Sequence, residues 1–431
     1  MLQTLRNAWR LEELRKKIIF TVFIILLFRL GNAIPVPHIN VDALQAYFTQ
    51  VENTVLGLYN VMSGGAFSTA TIFALSIQPY INASIIMQLL TIAIPALERM
   101  SKEGGEEGKK KIAAITRYVT VGIGLLMGIG YYFLMKNQIG IIDPAVADSF
   151  WAAVVIVLSF TSGSALVMWL GEQINEHGIG NGISLILFAG IISRMPNTLI
   201  SNIVNIANGQ LQWWVFALML LGALAIVVLI VIVNDSERRI PVQYAKRVVG
   251  RKMYGGQGTH LPIKLNMTGV MPIIFASSIV SVPATIATFF DKESGFYKFV
   301  NTWLGPNSWV YVILYVVLIV AFSYFYVLIS FNPMEVANNI KNNGGSVPGI
   351  RTGRPTAEYI TKILNRITLI GAFFLIIVAG LPMVANIISG GTFASLAFGG
   401  SSLLIVVGVA IETFRDIEAQ ITMRNYKGFL D

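Results

Sequence analysis

Apolar blocks about twenty residues long, the length that crosses a bilayer, are the feature that most constrains this 431-residue chain. Only 12% of its residues are charged, about half of what a soluble domain carries. Hydropathy predicts ten spans, at residues 18–36, 71–97, 112–135, 150–170, 179–192, 213–233, 267–290, 309–331, 367–384 and 395–411. The fifth span is the weakest, because it is short and opens on a glycine-rich turn. The chain therefore reads as an all-α polytopic membrane protein.

The distribution of Lys and Arg predicts the orientation of these spans. Twenty-six of the 31 basic residues fall in the two tails and in the loops on one side of the membrane. Arg29 lies within the first span, and the opposite side holds only Lys136, Arg194, Lys292 and Lys298. Because basic loops stay inside, both termini are expected to be cytoplasmic. No cleavable signal peptide is evident, so the first apolar stretch is interpreted as a retained helix.

Five spans on each side of the middle predict two halves of inverted topology, at residues 1–200 and 201–431. Proline interrupts the second span at Pro79 and the seventh span at Pro272 and Pro283. Interrupted helices at matching positions often mark a central pathway. Membrane helices also tolerate proline in general, so the prolines alone leave the repeat open.

Residues 51–70 are too polar to span the membrane, yet they carry no positive charge and lead directly into the second span. One interpretation is a re-entrant half-helix packed inside the protein, where irregular backbone is tolerated at membrane depth. The other is an amphipathic loop outside the membrane. Composition alone leaves both open.

The sequence argues against an enzyme, a cofactor and a metal. It has no cysteine, and its three histidines lie in separate loops without ligand spacing. The run from Gly104 to Lys110 resembles a phosphate-binding loop, but its glycine spacing is one residue short and a lysine replaces the magnesium-binding hydroxyl. We interpret that run as a charged turn.

The acidic residues argue against an ion-coupled carrier. All 22 lie in loops, tails or the ends of spans, and Glu98, Glu172 and Glu412 come nearest to the membrane interior. Coupled carriers usually place carboxylates at mid-membrane. The single charge predicted at mid-membrane is Arg29, for which no partner can be named from the sequence.

Two basic loops, at about 234–266 and 332–366, are longer than a connection needs. In the first, alternation over Ile240–Tyr244 predicts a short extended segment with basic residues at each end. The second has turn chemistry with arginines at its tip. We interpret both as a docking surface for an anionic partner, against the alternative that the charges rest on lipid headgroups.

Six segments, in order along the chain, resemble the SecY/Sec61-alpha family, the pore-forming subunits of protein translocation channels. They are IFALSIQPYINASIIMQLL (72–90), GEQINEHGIGNGIS (171–184), RRIPVQYAKR (238–247), THLPIKLNMTGVMPIIFASS (259–278), FNPMEVANNIKNNGGSVPGIR (331–351) and GGSSLLIVV (399–407). The resemblance implies an hourglass channel made of two inverted halves. It opens across the membrane for unfolded, signal-bearing polypeptides and sideways for membrane segments.

The resemblance also implies site residues. A constriction of aliphatic side chains is expected at Ile77, Ile81, Ile183, Leu187, Ile274 and Ile405, with leucine at 187 where isoleucine is common. The plug is expected at Val55, Leu56, Gly57, Leu58, Tyr59, Asn60, Val61, Met62, Ser63, Gly64, Gly65, Ala66, Phe67, Ser68 and Thr69. Spans two and seven, with three and eight, are expected to form a lateral gate. Polar residues that could bond across it are Asn82, Gln88, Ser277 and Ser278.

A passive channel of this kind requires partners. The resemblance implies docking of the SecA ATPase or the ribosome at Arg238, Arg239, Lys246, Arg247, Arg351 and Arg354. It further implies the small subunits SecE and SecG, contact with signal peptides, nascent chains and lipid, and a bacterial plasma membrane location. The alternatives are a secondary carrier for an uncharged or anionic solute and an insertion scaffold without a through-pore.

Overall fold

The computed structural model describes residues 6, 8–50, 55–102, 104–137, 141–146, 148–209, 212–244, 247–249, 252–254, 259–287, 290, 294–305, 308–388 and 399–427. The first half consists of α1 (Glu12–Gly31), α2 (Val41–Gln50), α3 (Val55–Met62), α4 (Gln78–Ala93), α5 (Pro95–Lys102), α6 (Gly105–Lys136), α7 (Phe150–His177) and α8 (Gly182–Ala207). The predicted division after residue 200 stays a prediction, and α8 continues seven residues beyond it.

The second half begins with α9 (Trp213–Asp235) and four strands, β1 (Glu237–Tyr244), β2 (Arg247–Val249), β3 (Lys252–Tyr254) and β4 (Thr259–Lys264). It continues with α10 (Met271–Ala287), α11 (Gly295–Trp303), α12 (Trp309–Ser330), α13 (Pro333–Asn342), β5 (Gly345–Ser346), α14 (Arg354–Ile388) and α15 (Gly399–Lys427). The extended segment predicted at Ile240–Tyr244 lies within β1, which confirms it.

Every predicted span overlaps one of these helices. Within the described ranges, six helices are long and apolar enough to cross a membrane, or seven if the bent pair of α4 and α5 is one span. The chain is therefore a mainly helical, multi-pass membrane protein. The count of ten spans stays a prediction, since α1 carries several charges and α10 is only 17 residues long.

The second span departs from its predicted limits of 71–97. Residues 71–77 form turns, and helix α4 begins at Gln78 with Pro79 in its first turn, where a missing N–H costs nothing. The helix ends before Pro95 because the residue before a proline avoids the helical conformation, and Ile94 is extended. Helix α5 then leaves at an angle of 104°.

The first span also ends early. Helix α1 stops at Gly31, five residues before the predicted end. Arg29 consequently lies in the last turn of the helix, where the negative end of the helix dipole favours a cation. Its predicted depth at mid-membrane stays a prediction.

The two halves share one apolar core. Helices α4, α6 and α7 pack together in the first half, and α10, α12 and α14 do so in the second. The halves meet where α4 contacts α10, and again where α8 contacts α15. Buried aliphatic and aromatic side chains from both halves form a single continuous cluster between these contacts.

The two long loops of the second half fold together into a platform, which we define as β1, β4, β5, α13 and the first turns of α14. Strand β1 pairs along its length with β4 and, at Gln243 and Tyr244, with β5 of the other loop. Beneath the sheet lies an apolar core of its own, which includes Ile240, Val242 and Ile360. We call the side of the molecule that carries it the platform end.

Candidate constriction, plug and gate

The six aliphatic residues predicted for the constriction lie on or next to four helices, two in each half, and their role as a constriction stays a prediction. All belong to or pack against the shared apolar cluster, and Ile77 and Leu187 are each 1% exposed. The sequence predicted Ile77 within a helix, but the structure places it just before α4, as the N-cap of that helix. The Ile81 N–H still donates to the Ile77 carbonyl oxygen at 3.1 Å, so the two side chains stay one turn apart. Ile77 and Ile183 both approach Gly171 of α7.

A polar recess of about 310 Å³ lies beside the constriction, toward the platform end. Three asparagines, Asn181, Asn234 and Asn266, line it together with Glu412 and Arg415. Its wall also includes positions one helical turn from the constriction residues on α8, α10 and α15. The recess therefore has both polar and apolar walls, and it reaches the neighbourhood of the predicted constriction from the platform end.

The described side chains of the segment predicted as the plug are buried or half-buried against the rest of the protein, which favours the re-entrant interpretation, and its role as a plug stays a prediction. The segment consists of α3 and the turns that follow, which the Asn60 side chain and backbone organise. The Ser68 N–H donates to Asn60 Oδ1 and the Gly65 N–H to the Asn60 carbonyl, each at 2.9 Å. At the far end of the segment, the Phe67 ring stacks on Tyr131 with centroids 4.2 Å apart.

The plug segment rests on α8 at a very close backbone contact. Gly64 has φ +70°, and a Cβ there would lie 2.8 Å from the Gly190 carbonyl oxygen and 3.1 Å from Ser193 Oγ. Arg29 Nη1 donates to that same Ser193 Oγ at 2.8 Å. The arginine that the sequence left without a partner thus fixes the surface on which the plug rests.

The four polar residues predicted to bond across the gate lie on facing helices, but their hydrogen bonds stay within their own halves. The Gln88 amide donates to Ser84 Oγ, and Ser277 Oγ donates to the Ile274 carbonyl, each on its own helix. The Asn82 amide contacts Met127 Sδ at 3.9 Å within the first half. Ser278 Oγ is buried without a hydrogen-bond partner among the described residues. The prediction that these four residues bond across the gate is wrong. Three of them have a nearer partner within their own half, and the Ser278 hydroxyl has none among the described residues.

A bond across the halves does exist one turn along α10, at a position that the sequence did not single out. Tyr59 of α3 and Ser281 of α10 are joined by a hydroxyl–hydroxyl hydrogen bond of 2.9 Å. A cavity of about 10 Å³ lies beside it, lined by both residues, Gln78 and the serines at 277 and 278. The plug segment therefore touches the second half directly at the gate helix.

The platform presents most of the predicted docking arginines to solvent. Arg238 and Arg239 lie on β1. Arg351 precedes α14 and Arg354 is its first residue, and all four side chains are exposed. Arg239 pairs with Glu237 at 2.6 Å and Arg354 with Glu358 at 3.1 Å. Arg247 lies on β2, and Lys246 lies outside the described residues. Pairing of β1 with β5 brings the two loops into one surface, which no local pattern predicted.

The fold is that of a multi-pass, mainly helical membrane protein whose helices share one apolar core. The SecY family model matches residues 71–414. The protein translocase subunit SecY of Streptomyces galbus is 43% identical over 442 residues, and that of Mycobacterium tuberculosis is 44% identical over 446 residues. Both alignments cover 100% of each chain.

Solved structures share the fold at low sequence identity. One described as a protein-conducting channel has a TM-score of 0.67 at 17% identity, covering 94% of this chain and 92% of the other. Sec61 from a canine ribosome–channel complex has a TM-score of 0.62 at 16% identity, with the same coverage. The chain belongs to the SecY family of protein translocase subunits.

Proposed function

We propose that this chain is the passive pore of a translocase. It carries unfolded, signal-bearing polypeptides across the bacterial plasma membrane and releases apolar segments sideways into lipid. The observation that carries the proposal is that six aliphatic side chains, from both halves, belong to or pack against one apolar cluster, which also includes Met62 of the predicted plug segment. A solute carrier requires polar ligands at that point, and a scaffold requires no constriction.

The constriction would act by shape and dewetting. A narrow ring of aliphatic side chains excludes water and ions, yet makes no fixed hydrogen bond to a passing chain. Because Ile274 and Ile405 belong to one half and the other four residues to the other half, separation of the halves widens the ring. Such a pore accepts any sequence in extended form.

The lateral gate would be the contact of α4 with α10. A signal sequence entering between them replaces helix–helix packing by its own apolar contacts and exposes one face to lipid. Because Tyr59 bonds to Ser281 on α10, movement of α10 breaks that bond and frees the plug. Hydrogen bonds between membrane helices contribute only about 1 kcal/mol, which suits a bond that must break in each cycle.

The platform would receive the partner that supplies energy, since no nucleotide-binding motif is present in the sequence. SecA or the ribosome would dock on Arg238, Arg239, Lys246, Arg247, Arg351 and Arg354, with the platform end and both termini in the cytoplasm. Of these, Arg351 is exposed and has no ion pair among the described residues, so its charge is available. SecE and SecG would cover lipid-facing helices.

Reconstitution tests this function. The purified chain, with the small subunits that accompany it, is placed in vesicles with SecA, ATP and an unfolded signal-bearing protein. We expect protease-protected substrate only with ATP, SecA and an intact signal. Arg351→Glu should abolish most of this ATP-driven transport while Lys362→Glu, also exposed on α14, leaves most of it.

Three outcomes would contradict the proposal. Uptake of small solutes without polypeptide uptake indicates a carrier. Absence of ion conductance after removal of residues 55–69 indicates a scaffold without a pore. Full ATP-driven transport by the Arg351→Glu variant removes the docking assignment alone.

A further inference from the structure

The turn between α7 and α8, residues 178–181, is held by side chains from the first and the last helices of the chain. The Ile179 N–H donates to Thr21 Oγ1 of α1 at 3.0 Å. The next amide, that of Gly180, donates to Asp416 Oδ2 of α15 at 3.0 Å. Gly180 adopts φ +77°, a conformation that L side chains rarely take, and this aims its N–H at the carboxylate.

These contacts close into a circuit. Gln420, one turn beyond Asp416 on α15, donates its amide to Asp416 Oδ2 at 3.2 Å. Lys17 of α1 donates to Gln420 Oε1 at 3.4 Å, and Thr21 donates to the Lys17 carbonyl at 2.9 Å. Two of the bonds share one carboxylate, and hydrogen bonds to an ionised acceptor are about twice as strong as neutral ones. Helix α1, the turn and α15 are thus bonded pairwise.

An apolar cluster packs against the circuit. Ile179 of the turn, Leu14 of the first helix and Ile417 of the last helix are 3%, 2% and 7% exposed. Leu11, Ile18 and Ile421 pack around them. We call the circuit and this cluster together the platform-end junction. It joins the two halves through both polar and apolar contacts.

The junction lies just before the first residue of α8 and in the second half of α15, two helices that carry predicted constriction residues. Gly180 is three residues before Ile183 of α8. Asp416 is eleven residues after Ile405 of α15, about 17 Å along the helix. Since α8 and α15 come from different halves and pack side by side, the junction sets their relative height and rotation.

We propose that the platform-end junction is the fixed pivot about which the two halves separate, and that Asp416 is the positioning residue that holds it. The inference rests on the proposed channel function. In this arrangement the contact of α4 with α10 opens while the contact of α8 with α15 stays closed. Ile183 and Leu187 keep their height relative to Ile405, so the ring can reseal after each substrate.

Substitution of Asp416 tests the positioning role. Asp416→Ala removes the acceptor of the Gly180 N–H, and loss of one hydrogen bond to a charged group corresponds to about a tenfold shift toward a separated junction. We expect ion conductance of resting channels in planar bilayers to rise by about that factor. Asp416→Asn keeps an acceptor oxygen and should stay near the unsubstituted chain, as should Glu418→Ala, exposed on the same helix. Unchanged conductance in Asp416→Ala channels would overturn the assignment.

Crosslinking tests the pivot itself, and the absence of native cysteine makes it specific. Lys17→Cys with Gln420→Cys is joined by a short bismaleimide, and Tyr59→Cys with Ser281→Cys serves as the matched pair at the gate. We expect the junction crosslink to leave most ATP-driven translocation intact and the gate crosslink to abolish it. Translocation stopped by the junction crosslink refutes the pivot. Failure of the unsubstituted chain to translocate in the same vesicles refutes the channel function instead.

Discussion

The seam between the two halves is built differently at its two sides. At the gate, a hydroxyl–hydroxyl bond joins Tyr59 to Ser281, and the Ser278 hydroxyl nearby is buried without a hydrogen-bond partner among the described residues. At the platform-end junction, five hydrogen bonds form a closed circuit that includes a carboxylate, beside a buried apolar cluster. A weakly bonded side opposite a strongly bonded one is the mechanical requirement of a hinge. The two halves then separate most easily at the gate, while the platform-end junction stays bonded.

The plug lies on the weak side, and its contact with α8 should give the largest effect. Gly64→Ala places a Cβ 2.8 Å from the Gly190 carbonyl oxygen, in addition to about 1–2 kcal/mol for a left-handed backbone. The plug cannot then settle on α8, and we expect resting ion conductance to rise strongly. The measurement is current through planar bilayers without substrate.

Gly65→Ala is the matched control for this variant. Gly65 also has a positive φ, of +93°, but a Cβ there has no atom within 4 Å. The backbone penalty is therefore shared and the collision is not. Equal conductance in the two variants would show that backbone strain, rather than the contact with Gly190, accounts for the leak.

The Tyr59–Ser281 bond across the gate should have an intermediate effect, best measured as a double-mutant cycle. Tyr59→Phe and Ser281→Ala each remove one hydroxyl, and membrane polar pairs of this kind average about 0.6 kcal/mol. That energy corresponds to roughly a threefold change in the closed-to-open ratio. The readout is translocation of a substrate with a defective signal. If the effects of the two single variants add up to the effect of the double variant, the two hydroxyls are not coupled.

Local patterns predicted the helices well, but not where they end. Each predicted apolar span overlaps a helix of the structure, because a bilayer demands apolar length. Residues 71–77 were wrongly included in a helix, since hydropathy is blind to the turn that Pro79 permits just before it. The correction matters at the site, because it turns Ile77 from a mid-helix residue into an N-cap.

The contacts between the halves could not be read from local patterns. Gly180 and Asp416 are 236 positions apart, and Tyr59 and Ser281 are 222 apart. The polarity of Asn82 and Gln88 suggested bonds across the gate, but in the structure both side chains contact partners within the first half. The aliphatic constriction residues resemble their lipid-facing neighbours in chemistry, and only the family resemblance singled them out.

The outermost link of the strong side should give the smallest effect. Lys17→Met removes one long bond of 3.4 Å to Gln420, while the carboxylate, the turn and the apolar cluster remain. Partly exposed interactions of this type contribute at most about 0.5 kcal/mol and are weakened by salt. We expect a rise in resting conductance of less than about twofold, visible only at low ionic strength.

Lys16→Met is the control, since Lys16 pairs with Glu12 on the exposed face of the same helix at 2.9 Å. An effect of Lys17→Met as large as that of Asp416→Ala would mean that the junction depends on charge attraction between the two helices. The carboxylate held by the turn would then not be its centre.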